Sequence, residues 1–228
     1  GDGGKNWEKG TNRSMCLFAL ENLGCGSWIA AGNQGNVTFT VDGGSSWSRL
    51  TSVPPARVTS LSFTSPAHGW ASTRGWIGET VDGGQSWTAL ALPEGMPPAE
   101  TVSSTGTGTG FFVGSDGYLY GTTDGGANWS RGESLCPAPS DGFRAASPVN
   151  GQTRALRFKG NRGLFVCAGI SQKQSVLLLR ETADGGNTWT EPTIQRLKAP
   201  LASVFISPDF FISGLALDTS ALRIGSPE

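Results

Sequence analysis

The acidic side chains are the candidate catalytic groups of this sequence, because two carboxylates that flank a glycosidic bond suffice for glycoside hydrolysis. The sequence has 18 acidic residues, and five of them are the aspartates of a repeated Asp-Gly-Gly tripeptide. Five others could reach one surface of the predicted fold: Glu94, Glu100, Asp116, Asp141 and Asp218. No pair among them repeats a glycosidase signature, so a small glycoside hydrolase is only a second alternative for the function.

Other kinds of catalytic or metal site find little support in the sequence. His68 is the only histidine, and it lies in a turn on the opposite side of the predicted fold from the loop-bearing surface. Histidine-assisted catalysis by a serine or a cysteine is therefore not expected. No group of histidine, cysteine and acidic residues has metal-ligand spacing, and the tripeptides lack the ligand series of a calcium loop. We expect no metal, no cofactor and no enzymatic activity.

A repeated box surrounds each Asp-Gly-Gly tripeptide and sets the period of the chain. The aspartates at positions 2, 42, 82, 124 and 184 are 40, 40, 42 and 60 residues apart. In each box the glycines permit a tight turn, the Asp carboxylate can accept local backbone N–H groups, and a Trp follows where the next strand begins. The boxes cover residues 2–7, 40–47, 80–87, 122–129 and 182–189, and their defining residues are Asp2, Trp7, Asp42, Trp47, Asp82, Trp87, Asp124, Trp129, Asp184 and Trp189.

The period predicts an all-β, five-bladed propeller of four-stranded antiparallel blades, because about 40 residues with four short strand-like runs fit one blade. Three β-rich runs follow the last box without a box of their own, at residues 202–207, 210–215 and 221–225. We expect the ring to close by pairing residues 6–9 with these C-terminal strands. Residues 1–228 then form a single propeller domain, in which 134–152 is an inserted loop.

The box resembles a known repeat. Its pattern, T-x-D-G-G-x-[ST]-W, is similar to the Asp-box or BNR repeat of sialidases, xyloglucan-degrading glycosidases, sortilin-type receptors and photosystem II assembly and stability factors. The approach to the box in the second blade, His68-Gly69-Trp70-Ala71 and then Gly75-Trp76-Ile77-Gly78-Glu79-Thr80, looks most like the last of these families. The resemblance implies a scaffold that grips a partner protein, such as a photosystem subunit or a large membrane complex, and does no covalent chemistry.

Successive strands of an antiparallel blade alternate in direction, so the loops of the predicted ring lie on two faces. The boxes lie on one, the box face. The loops between second and third strands and the links between blades lie on the other, the loop face, which is the usual binding surface of a propeller.

Arginine outnumbers lysine by 12 to 5, and its planar fork suits bidentate binding of carboxylates. We therefore predict a partner-binding site on the loop face, formed by Arg57, Arg74, Trp76, Tyr118, Arg144 and Arg196. The alternative is that these residues belong to an ordinary solvated surface.

Four cysteines could form two disulfides, with three possible connectivities. Cys16 and Cys25 lie on adjacent predicted strands around one turn, and Cys136 and Cys167 both lie near the loop face, which favours the pairs 16–25 and 136–167. Four unpaired, buried thiols remain the alternative. Paired cysteines would place the chain outside the cytosol. The resemblance to photosystem II factors implies the thylakoid lumen, and secretion is the alternative.

Composition limits the kinds of partner. The net charge of −1 gives no general reason to bind nucleic acid. No run of about 18 apolar residues is present, so no direct membrane span is expected. The favoured function is a non-enzymatic protein-binding scaffold. The first alternative is a lectin or receptor-like binding propeller, in which Trp76 and Tyr118 would form an aromatic platform for a sugar or a peptide.

Overall fold

A computed structural model describes residues 17–50, 56–136, 143–145, 153–198, 200–207, 209–210, 212–216 and 221–225. The regular elements in that part of the chain are twenty β-strands and one 3-10 turn at Asn33–Gly35. Short strands separated by glycine turns are expected of a chain that contains 34 glycines. Over the same residues no helix is long and apolar enough to cross a membrane.

Three sheets of four antiparallel strands form the first three blades. The first comprises β1 (Leu17–Gly24), β2 (Ser27–Gly32), β3 (Val37–Thr40) and β4 (Ser48–Leu50). The second comprises β5 (Ser60–Phe63), β6 (Gly69–Thr73), β7 (Trp76–Thr80) and β8 (Thr88–Ala89). The third comprises β9 (Ala99–Gly106), β10 (Thr109–Gly114), β11 (Tyr118–Thr122) and β12 (Ser130–Ser134). In each blade the strands follow one another in sequence order from the inner to the outer edge.

The fourth blade contains an additional strand from the predicted insertion. Its strands are β13 (Phe143–Ala145), β14 (Arg154–Lys159), β15 (Arg162–Ser171), β16 (Gln174–Thr182) and β17 (Thr193–Arg196). Because β15 has ten residues, its first part pairs with β14 and its last three residues pair with β13. The stretch 134–152 is therefore not wholly a loop, since part of it is built into the sheet.

The prediction of five four-stranded blades is wrong. Four blades have at least four strands each, whereas the C-terminal sheet has three in the described residues: β18 (Leu201–Ile206), β19 (Ile212–Ala216) and β20 (Ala221–Gly225). In every complete blade a box connects the third strand to the fourth, and the C-terminal sheet has no box to begin an outer strand. Residues 6–9, which were predicted to supply that strand and close the ring, lie outside the described residues, as do Asp2 and Trp7.

The core lies between neighbouring sheets rather than in one central mass. Four clusters of buried side chains fill the four interfaces between successive sheets. Ile29 of the first blade meets Ala71 of the second in one cluster, and Trp70 of the second meets Phe112 of the third in the next. In the described residues the second, third and fourth blades therefore bury both of their faces, which explains why β6 is buried along its whole length.

The inner strands β1, β5, β9, β14 and β18 surround the axis, and each exposes an unpaired backbone edge. On β5, β9 and β14, side chains of the preceding inner strand accept backbone N–H groups of that edge, which would otherwise be buried without acceptors. Glu21 on β1 accepts the N–H of Phe63 on β5 at 3.3 Å. Ser62 on β5 accepts the N–H of Ser104 on β9 at 3.0 Å. The further members of this series are Ser60 to Val102, at 3.2 Å, and Ser103 to Phe158, at 3.0 Å.

Candidate functional site

The four boxes in the described residues share one hydrogen-bond pattern, centred on Asp42, Asp82, Asp124 and Asp184. In the second blade the Thr80 hydroxyl donates to Asp82 Oδ1 and accepts the N–H of Gly84, both at 2.8 Å. Asp82 also accepts the N–H of Ser86 at 2.8 Å and its hydroxyl at 2.5 Å. Both glycines of the turn have positive φ, 74° and 88° at Gly83 and Gly84, which glycine adopts without strain.

These hydrogen bonds keep the box carboxylates ionised. The side chain and backbone of Thr188 lower the pKa of Asp184 to about 2, and equivalent hydrogen bonds lower the pKa of the other three aspartates. Each of the four described boxes is also tied to the turn between the first two strands of its blade, for example by the Gly125 N–H, which donates to the Gly108 carbonyl at 2.9 Å. A carboxylate that is fully used as an acceptor and has a low pKa is a poor proton donor, so these boxes are structural.

The tryptophans of the boxes lie against neighbouring blades. Trp87 packs in the cluster between the first two blades, and its indole N–H donates to the Gly84 carbonyl at 3.0 Å. Trp129 donates to the carbonyl of Ala91 in the preceding blade at 2.8 Å. Trp189 is buried in the cluster between the third and fourth blades. Trp47 of the first blade is 43% exposed.

The two aromatic residues of the predicted binding site are engaged within the protein. Trp76 belongs to the cluster between the first two blades, where its ring meets Trp87 edge to face, with centroids 6.3 Å apart. It also lies over Gly78, where any Cβ would overlap the ring. Tyr118 is covered by the Arg131 guanidinium, 3.5 Å from its ring centroid. An aromatic platform built on these two residues is therefore not present as predicted.

The predicted arginines lie on or beside the second and fourth blades. Arg57 lies in the link before β5, half-buried, with its guanidinium carbon 3.8 Å from the centroid of the Phe18 ring. Arg74 is exposed in the turn between β6 and β7, and Arg196 is exposed at the end of β17. Among the described residues no hydrogen bond or ion pair joins these three side chains. Arg144 lies on β13, and its side chain is outside the description.

Cys136 and Cys167 lie side by side as free thiols, with their sulfur atoms 3.5 Å apart. The hydrogen bond between the two thiols, and then the nearby charge of Arg154, lower the pKa of Cys136 against the opposing effect of burial. The same hydrogen bond and burial raise the pKa of Cys167. A disulfide between them stays a prediction. Cys25 is an exposed free thiol, and Cys16, its predicted partner, lies outside the described residues.

Two buried charged groups had escaped the sequence analysis. Glu21 on β1 and Arg157 on β14 form an ion pair across the axis, from the first blade to the fourth. Their separation of 136 positions leaves no local sequence signal for the contact. Arg154, three positions before Arg157 at the loop-face end of β14, donates to the Gly114 carbonyl at 3.4 Å and lies 3.8 Å from Glu100.

His68 and Glu79 form a second polar network, on the box face. The His68 ring lies 2.7 Å from Glu79 Oε1, which also accepts the N–H of Gly108 in the third blade at 2.7 Å and the indole N–H of Trp70 at 3.3 Å. Burial raises the pKa of Glu79, but these hydrogen bonds outweigh it and lower the pKa below the ordinary value. The network joins two blades. No group of three or more His, Cys, Asp or Glu residues that could hold a metal occurs in the described part of the chain.

The sequence matches the family model of the photosynthesis system II assembly factor YCF48 over residues 51–134. The matched segment covers the second and third blades, including the boxes at 80–87 and 122–129. No curated protein matches the chain at a significant level. Residues 51–134 are therefore similar to this family of photosystem II assembly factors, and the described residues form a BNR-type propeller fold.

Solved structures agree with the fold. A structure of YCF48 bound to a D1 peptide is 19% identical, with 94% of each chain covered and a TM-score of 0.52. YCF48 from Cyanidioschyzon merolae is also 19% identical, covers 94% of this chain and 68% of its own, and has a TM-score of 0.61. The GH74 enzyme of Niastella koreensis is 14% identical over 92% of this chain and 30% of its own, with a TM-score of 0.57. At these identities the likeness concerns the fold.

Proposed function

We propose that this chain is a non-enzymatic scaffold that binds a photosystem subunit, or a larger membrane complex that contains one, during its assembly. The observation that carries the proposal is the match of residues 51–134 to the YCF48 family model. The solved YCF48 structure with a D1 peptide supports a photosystem polypeptide as the partner. A lumenal location in thylakoids follows from such a partner, and secretion is the alternative.

The glycosidase alternative gains little from the acids that could have served it, because Asp116 accepts the Tyr120 hydroxyl at 2.7 Å and Glu100 lies 3.8 Å from Arg154. Glu94 is exposed, and Asp141 and Asp218 lie outside the described residues. The likeness to the GH74 enzyme concerns fold alone and carries no catalytic residue. The lectin alternative depended on Trp76 and Tyr118, and both partly buried rings already contact other side chains, Trp76 against Trp87 and Tyr118 beneath Arg131. A protein partner needs no such platform, since exposed arginines can bind carboxylates at an interface.

We assign the partner to the loop face, where Arg74 and Arg196 are exposed and free of the core. Charge reversal at both, Arg74→Glu with Arg196→Glu, should weaken binding of the partner by at least about tenfold, or about 1.4 kcal/mol. The partner is first isolated by gentle purification of the tagged chain and identified by mass spectrometry. Binding is then measured with the purified partner and with D1 peptides.

The matched control is Arg49→Glu, a charge reversal at an exposed residue of the outer strand β4. It should leave affinity unchanged, and all variants should keep the unfolding midpoint of the wild-type chain. If the double variant binds the partner as well as Arg49→Glu does, the loop-face assignment is wrong. If gentle purification recovers no photosystem polypeptide, the proposed function is wrong.

A further inference from the structure

A cleft of about 320 Å³ opens on the box face where the inner strands of the second, third and fourth blades end. Its rim is exposed and polar, formed in part by Thr64, Thr105 and Lys159. Its floor is buried and contains Ser104 and Arg157, which are 2% and 7% exposed. A concave site with apolar walls and a few convergent polar groups is the usual form of a small-molecule site.

The floor contains hydrogen-bonding groups that the protein leaves unused. The Ser104 hydroxyl is buried and has no partner, unlike the hydroxyls of Ser62 and Ser103 on the same inner strands, which accept backbone N–H groups. The Nε–H of Arg157 is also buried without a partner, although Nη1 of the same guanidinium binds Glu21. An unpaired buried polar group costs about 1–3 kcal/mol. Two at the floor of one cleft indicate that a ligand supplies the missing acceptors.

The two unused groups of the floor and the cation at the rim select the chemistry of that ligand. The Arg157 Nε–H and the Lys159 ammonium can only donate, and the Ser104 hydroxyl can donate. Two carboxylates lie nearby: Glu21 is occupied by Arg157, and the exposed Asp209 is 3.8 Å from Lys159. A group with several acceptor atoms and a negative charge satisfies all three donors at once. Phe63 and Phe158 complete the wall with apolar surface.

We infer that this cleft binds a small oxyanion, a carboxylate or a phosphate, between Ser104, Arg157 and Lys159. The oxyanion accepts from the Ser104 hydroxyl and the Arg157 Nε–H at the floor, and Lys159 covers it from the rim. The site lies on the box face and does not depend on partner binding at the loop face.

The test is a titration of the ¹⁵N-labelled chain with sodium phosphate and, separately, with sodium acetate, at constant ionic strength set with chloride. Saturable shifts of the amides of residues 104, 105, 159 and 160 are expected. Lys159→Gln should weaken this binding by about tenfold. Ser104→Ala should weaken it several-fold while leaving the unfolding midpoint unchanged or higher, because the hydroxyl has no partner to lose.

Lys198→Gln is the matched control, since Lys198 is exposed and lies beyond β17 at the loop-face end. It should bind the anion like the wild type. Saturation by phosphate alone assigns a phosphate ligand, and saturation by acetate assigns a carboxylate. Absence of saturable shifts with both anions overturns the inference. It is equally overturned if Lys159→Gln and Ser104→Ala both bind like Lys198→Gln.

Discussion

At the scale of the residue, one carboxylate holds each described box closed, and its negative charge strengthens the hydrogen bonds that it accepts. Asp184 accepts the N–H of Thr188 at 3.0 Å and its hydroxyl at 2.6 Å, and the Thr182 hydroxyl donates to it at 2.7 Å. Protonation of the carboxylate removes the charge and weakens all three bonds. The boxes therefore connect the stability of the propeller to the pH of its surroundings.

The pH dependence has a definite sign. In the folded protein the pKa of Asp184 is about 2, below the ordinary value of 3.8. The stabilising contribution is therefore complete above pH 3.8 and is lost as the pH falls towards about 2. Asp184→Asn should have a free energy of unfolding that depends less on pH over this range. Urea denaturation at pH 5, 4, 3 and 2 measures the difference.

A suitable control for this series is Asp209→Asn, because Asp209 is an exposed aspartate outside the boxes. Its pH profile should follow that of the wild-type chain. Profiles of Asp184→Asn and wild type that run parallel from pH 5 to pH 2 would contradict the role assigned to the box.

At the scale of the element, local signals predicted local structure. The box hairpins could be predicted because their Thr, Asp and glycines lie within five positions and bond to one another. The packing of Trp76 against the first blade was not predicted, although the sequence contains one signal for it. Gly78 lies two positions further along β7, on the same side of the strand, and leaves room for the Trp76 ring. The strand β13 inside the insertion pairs with residues more than twenty positions away, and no local pattern marks it.

The inner strands carry a prediction that only the structure allows. Ser103→Ala removes the acceptor of the buried Phe158 N–H and should lower the free energy of unfolding by about 1–3 kcal/mol. The neighbouring change Ser104→Ala removes a hydroxyl without a partner and should cause no loss. Guanidinium denaturation of the two variants compares them directly. Equal losses in both would show that the inner-edge bonds are not what stabilises these strands.

At the scale of the whole molecule, the sequence period predicted a ring of blades but gave their number wrongly, because the C-terminal runs were counted as a blade although they lack a box. The contact that ties the ring across its axis, Glu21 to Arg157, joins residues on the first and fourth blades. Both side chains are buried, so each depends on the other to offset its loss of hydration.

Breaking this ion pair should be costly. Glu21→Gln leaves the Arg157 charge buried without a counter-charge, and we expect the free energy of unfolding to fall by about 3–5 kcal/mol. The double variant Glu21→Gln with Arg157→Gln should lose less than the sum of the two single variants, because the charge that is left unpaired is then removed. A double-mutant cycle by denaturant unfolding measures this coupling. If the losses in free energy of unfolding of the two single variants add up to that of the double variant, Glu21 and Arg157 do not stabilise the fold as a pair.

The series of bonds between inner strands also implies an order of events in time. The contacts from Ser62 to Ser104 and from Ser103 to Phe158 span 42 and 55 positions, about one repeat each, whereas Glu21 and Arg157 are 136 positions apart. Short closures cost less chain entropy and form sooner than long ones. We expect each blade to dock on its predecessor as the chain emerges during synthesis. The Glu21–Arg157 ion pair then forms only when the fourth blade has been synthesised and has docked. Until then the first three blades are not joined to the fourth across the axis.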